Sequence, residues 1–151
     1  MSELALIGID LGKHTFHLHG QDKSGREVFR KKCSRAQMMQ FFASSQSCVV
    51  AMEACAGSHC VARQLAAIGH TAKLISPQFV KPFVKGNKND FVDAEAICEA
   101  ASRPSMRFVT PKTESQQTLS VLHRMRESLV RDRTRTANQM HGFLLEFGVS
   151  L

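Results

Sequence analysis

Four acidic side chains carry the chemistry this sequence offers. Asp10 and Glu53 each close an apolar, β-branched run, and Asp90 and Asp93 stand three residues apart in GNKNDFVDAEAI (Gly86 to Ile97). Three residues is nearly one helical turn, so the last two share a helix face. Carboxylates brought together repel and raise one another's pKa unless a cation neutralises them. An oxygen-only ligand set suits Mg2+ or Mn2+ and not zinc. Two such ions about 4 Å apart activate a nucleophile and stabilise the leaving oxygen in phosphodiester chemistry. Each acid also has an ordinary reading. Asp10 can cap the turn at Gly12, Glu53 can sit at the start of the helix that follows it, and Asp90 can be an N-cap with Asp93 and Glu95 in the first turn. Those readings leave unexplained why two buried strands both finish in a carboxylate and an acid pair follows.

The elements that must position these acids follow from hydrophobic period. LALIGID (Leu4 to Asp10) and SCVVAME (Ser47 to Glu53) read as fully buried strands. TFHLHGQ (Thr15 to Gln21) alternates like a half-exposed strand, DKSG is a turn, and REVFRKK (Arg26 to Lys32) returns as the third strand of an antiparallel meander. A helix from the N-cap Ser34 carries Met38, Phe41 and Phe42 at helical spacing. After the second buried strand come a helix ending at Gly69, a strand TAKLIS and a short helix from Pro77 disturbed at Pro82. A helix over Asp90 to Ala101 follows, and then MRFVTP as a short strand or extended connection. The βαβ alternation predicts parallel neighbours in a mixed α/β sheet of about five strands. From Ser115 to about Phe147 one or two long polar helices are expected, with Leu119, Leu122, Met125, Leu129, then Ala137, Met140, Leu144 and Phe147 forming a weak coiled-coil seam. The organisation expected is therefore a domain over 1–112 and a helical segment over 113–151, ending as a piece of something longer.

The chain has 151 residues, a net charge of +7 and a pI near 9.5, so polyanions are the natural partners. Ten Phe are the whole aromatic content, and no base-stacking platform is evident. Candidate phosphate contacts are Lys13, the loop lysines Lys81, Lys85 and Lys88, and the helical arginines Arg124, Arg131, Arg133 and Arg135. The competing reading of the arginines is a solvated face paired with Glu127 and Asp132. His14, His17 and His19 read as surface or packing residues, and neither Ser58 nor Ser76 has a His/acid partner that would make it a nucleophile. Five cysteines without a signal peptide point to reduced thiols in the cytoplasm, and CAGSHC (Cys55 to Cys60) lacks the second ligand pair of a zinc site. No apolar run is long enough to span a bilayer, so a membrane is not an expected partner.

Three separated blocks, GIDLGKHTFHL, VVAMEACAGSH and KNDFVDAEAI, resemble in order and spacing the N-terminal domain of the DEDD group of insertion-sequence transposases (insertion-sequence family one-ten), which includes the Piv-type DNA invertases. LVRDRTRTANQMHGFLLEFG resembles the helical segment that follows that domain, so the resemblance covers nearly the whole chain. It implies an RNase H-like, RuvC-type fold and DNA recombination through a carboxylate cluster. Asp10, Glu53, Asp90 and Asp93 match the family's acids, and Lys88 and Ala94 match the rest of its K-x-D-x-x-D-A stretch. It also implies a divalent cation, DNA as partner, in some members a structured guide RNA, and a further C-terminal domain with a nucleophilic serine. Self-association through the C-terminal helices is expected alongside. Two other readings stand beside it. One is a nucleic-acid-binding and dimerisation module without cleavage of its own. The other is an ATP-binding sugar-kinase or actin-like domain, whose opening GIDLG resembles this one but which usually follows it with Thr or Ser where this chain has Lys13 and His14.

Overall fold

Alternation along the first strand decides which residues face which layer. In the computed structural model, which describes residues 4–86 and 89–150, β1 (Leu4–Leu11) pairs antiparallel with β2 (Phe16–Asp22), and β2 with β3 (Glu27–Cys33). β4 (Val49–Glu53) lies parallel to β1, β5 (Thr71–Ile75) parallel to β4, and the two-residue β6 (Phe108–Val109) closes the edge antiparallel to β5. The order is β3-β2-β1-β4-β5-β6, six strands where about five were expected, because MRFVTP contributes the short last one.

Among the described residues there are five α-helices: α1 (Arg35–Ser44), α2 (Ser58–Ala67), α3 (Pro77–Val80), α4 (Asp90–Ala101) and α5 (Glu114–Glu146). Ser34 and Gln37 form a capping box at the start of α1. α2 starts behind Gly57 at φ 86°, a left-handed position that suits glycine, so Glu53 does not cap this helix. α3 runs into a 3-10 turn over Lys81–Phe83, where Pro82 sits.

The sheet is covered on both faces. Ile7, Ile9, Leu18, Val50, Met52 and Leu74 pack with Met38 and Phe42 of α1 and Val61 and Leu65 of α2. The alternate residues Leu6, Ala51 and Ile75 pack with Ala96, Ile97, Cys98 and Ala100 of α4. Gly8 sits in the middle of this second face. A methyl group there would overlap the Ala94 carbonyl oxygen and lie 2.7 Å from Cys98 Sγ, so α4 rests directly on the β1 backbone. β2 is buried along its whole length, including His17 and His19, and is not half-exposed. Its alternation identified two faces correctly but could not say that α4 covers the polar one.

The chain divides into two compact units, Met1–Pro111 and Lys112–Leu151. The second is dominated by α5, one uninterrupted helix of 33 residues opened by a Thr113–Gln116 capping box. At 1.5 Å per residue it is about 50 Å long. None of its residues is buried, and Leu119, Leu122, Met125, Leu129 and Met140 are exposed. No helix among the described residues is long and apolar enough to cross a membrane.

Candidate metal centre

The acids converge because alternation and register agree. On β1, Gly8 faces α4, so Asp10 two residues on projects to the same side. On β4, Ala51 packs with α4, so Glu53 does likewise. The parallel register ends at Ile9↔Met52, which makes Asp10 and Glu53 the next neighbours at the strand ends. α4 contributes from above. Its N-cap is Asn89, whose side chain accepts from Phe91 N at 3.1 Å, and so Asp90 is spared the capping role and stands in the first turn with Asp93.

One carboxylate oxygen from each of Asp10, Asp90 and Asp93 lies within 4.8 Å of the others. Asp10 is partly covered, with 28% of its side chain exposed, while Asp90 is 65% exposed, so the group opens to solvent on its α4 side. Glu53 is half-buried at the end of the neighbouring strand and stands outside this group of three. It is close in the electrostatic sense. Burial raises the Cys55 thiol above its usual pKa, and the charges of Glu53 and then Asp10 raise it further. Both acids therefore act on the same point just beyond β4, and Cys55 is held protonated, a poor state for ligating a soft metal. The group of three offers only carboxylate oxygens, and three carboxylates at this separation fit a hard divalent cation. Without one, three like charges are held together at a cost.

His17 is the residue that sequence reasoning missed. Its Nδ1 lies 4.0 Å from Asp10 Oδ2 and its Nε2 3.7 Å from Asp90 Oδ2, beyond hydrogen-bond reach but within ion-pair distance. The ring meets Phe91 edge-on with centroids 4.7 Å apart. The buried imidazole thus fills the space between the β1 acid and the helix acid. The signal was available: counting outward from the Gly12–Thr15 turn through the antiparallel register puts His17 opposite Asp10.

The expected basic residues fare differently. Lys13 is exposed in the β1–β2 turn, which Gly12 N closes by donating to Thr15 O at 3.1 Å. Lys81 is exposed, whereas Lys85 is held by Glu99 at 3.1 Å. Lys88 lies outside the described residues. On α5, Arg131 is 3.9 Å from Glu127 and Arg135 2.8 Å from Asp132, as the solvated-face reading expects. Arg124 and Arg133 are exposed on the same helix, with no acidic partner among the described residues.

The structure shows a mixed sheet of this order with a cluster of acids at one end of its strands, and comparison with known sequences says which family it belongs to. The chain belongs to the DEDD transposase family of IS110 insertion elements, whose sequence pattern, described as a transposase, matches residues 7–148. It is 62% identical over all 151 residues to the transposase for insertion sequence element IS1328 of Yersinia enterocolitica, of which it covers 45%. It is 53% identical to a probable family 20 transposase of Pseudomonas aeruginosa, with 97% of this chain and 43% of that protein aligned. To the transposase for insertion sequence element IS1111A of Coxiella burnetii it is 43% identical across the whole chain and 42% of that protein. The chain thus spans less than half the length of these relatives.

Proposed function

We propose that residues 1–112 form the RNase H-like, RuvC-type nuclease domain of a DEDD transposase, holding Mg2+ or Mn2+ through Asp10, Asp90 and Asp93 with Glu53 as the fourth carboxylate. One observation carries this reading. Oxygens from residues about eighty positions apart meet within 4.8 Å on one side of a mixed sheet. The antiparallel meander followed by two parallel strands, in the order β3-β2-β1-β4-β5, supports the same fold. A bound divalent cation would neutralise the cluster and polarise a phosphodiester oxygen.

The chain's own residues supply position. The β1–β4 pairing fixes Asp10 and Glu53 on one backbone frame, and Gly8 lets α4 approach closely enough to bring Asp90 and Asp93 to them. His17, edge-on to Phe91, fills the space behind the cluster between Asp10 and Asp90. Lys13, Lys81, Lys88 and the α5 arginines Arg124, Arg131, Arg133 and Arg135 would contact backbone phosphates of DNA. Complete strand exchange in the cytoplasm would also need the family's serine-bearing C-terminal domain, and a guide RNA is a further partner in this reading.

The test is calorimetric titration of Mn2+ into the wild-type chain and into Asp10→Asn and Asp93→Asn, alongside nicking of supercoiled DNA. Each substitution is expected to weaken Mn2+ binding by tenfold or more, about 1.4 kcal/mol. Mn2+ binding that survives both unchanged rejects the site.

The exposed apolar row on α5 favours a second role beside the first. Leu119, Leu122, Met125 and Leu129 recur at spacings of three and four with no cover from their own unit, as expected for self-association through a coiled coil over 113–151.

A further inference from the structure

The pairing that sets His17 beside Asp10 continues one strand further. His17 is opposite Asp10 on β1 and opposite Lys32 on β3, so Asp10, His17 and Lys32 form one row across three strands. Residues opposite one another in antiparallel pairs point to the same face. The neighbours fix which face. Phe16, Cys33 and Leu11, one step away on each strand, pack in the α1/α2 core, so the row lies on the α4 side. Lys31 turns the other way, with its ammonium 4.6 Å from the centre of the Phe41 ring, and Arg30 on the α4 side reaches Glu95 of α4 at 3.1 Å.

These two neighbouring cations are already engaged, Lys31 with an aromatic ring and Arg30 with Glu27 and Glu95. Lys32 is exposed and, among the described residues, has no acidic partner. Strands lie about 4.8 Å apart, which puts its Cα about 10 Å from that of Asp10, within reach for a four-carbon side chain of a phosphate next to the cluster. We propose that Lys32 holds a DNA backbone phosphate adjacent to the one at the carboxylate cluster, so that the strand runs from the cluster toward the β3 edge. This rests on the nuclease reading above. It adds the direction in which the backbone lies and a contact on β3 outside the lysines and arginines first named as phosphate contacts.

The test uses a labelled DNA duplex, with Ca2+ to hold cleavage off, and follows affinity against salt. Lys32→Ala is expected to weaken binding about three- to tenfold at low salt and to reduce the slope of log affinity against log salt by about one. Lys32→Arg retains both, and Lys31→Ala, on the opposite face, changes neither by as much. Mn2+ affinity at the cluster stays at the wild-type value in Lys32→Ala. Unchanged DNA affinity and slope in Lys32→Ala overturn the proposal while leaving the metal site standing. So does an equal loss in Lys31→Ala, which would mean general charge. A lysine that only guards the sheet edge would show aggregation on replacement with no change in slope, and that also overturns it. A loss confined to an RNA probe rejects the DNA assignment. A wild-type chain that binds Mn2+ but no DNA removes the nuclease reading as well, and the two failures are thereby told apart.

Discussion

The two faces of the sheet are built from different materials. Toward α1 and α2 the strands present Ile7, Ile9, Leu18, Val50, Met52 and Leu74, large side chains without polar atoms. Toward α4 they present Gly8 and Ala51 near the middle, His17, His19 and Gln21 on β2, and carboxylates at the ends of β1 and β4. The first face removes much apolar area from water, which is where most folding free energy comes from. The second removes less and instead brings a helix close enough for polar groups to meet. Stability and chemistry are thus divided across a single layer of backbone, and each strand serves both by alternation.

The comparison breaks most visibly on the apolar side. Leu18→Ala is expected to cost about 2–5 kcal/mol, the range for emptying a buried leucine site, and chemical denaturation will read it as a lower midpoint. The matching change on the other face is Gly8→Ala. The new methyl meets backbone at Ala94 and cannot be accommodated by a rotamer, so α4 must lift. A cost of about 1–3 kcal/mol is expected, with weaker Mn2+ binding even where the protein remains folded. Leu18→Ala should leave metal affinity intact in the molecules that stay folded, and that contrast is what distinguishes the faces.

The smallest effect belongs to neither face. Asp22 ends β2 and accepts from Ser24 Oγ at 2.6 Å, Ser24 N at 2.8 Å and Arg26 N at 3.0 Å. The Ser24 hydroxyl foremost, with the two backbone amides and the Arg26 charge, holds its pKa down at about 2, from 3.8 for a free side chain. Because the folded value is the lower one, the stabilisation is present above about pH 4 and is lost as pH falls toward 2. Asp22→Asn should flatten thermal stability across that window and leave Mn2+ affinity at neutral pH unchanged.

Much of this was legible in the residues. Two buried runs ending in acids, a turn at DKSG and βαβ alternation afterwards gave the strand sequence, and the DEDD blocks pointed to the acids. What period could not show was cover. HLH on β2 alternates as a strand facing water would, because a pattern records that His17 and His19 differ from Phe16 and Leu18, not what lies over them. The capping of α4 was similarly ambiguous. Asn89 and Asp90 are both good N-caps, and only the helix start decides that Asn89 takes the role. Glu53 was expected to join the other acids as an equal. It reaches the same strand end but not the group of three, because a strand register fixes backbone neighbours while the carboxyl position depends on the side chain.

The seating of α4 on Gly8 has a consequence for when the molecule becomes competent. Asp10 belongs to the first strand made, while the two aspartates that complete the trio arrive with almost the last element of the domain. A nascent polypeptide still short of α4 can pair β1 with β4, yet it has nothing to close the cluster. The proposed cation-holding assembly therefore comes together late in synthesis, with the docking of a single helix, and an interrupted translation product would carry its oldest acid without its partners.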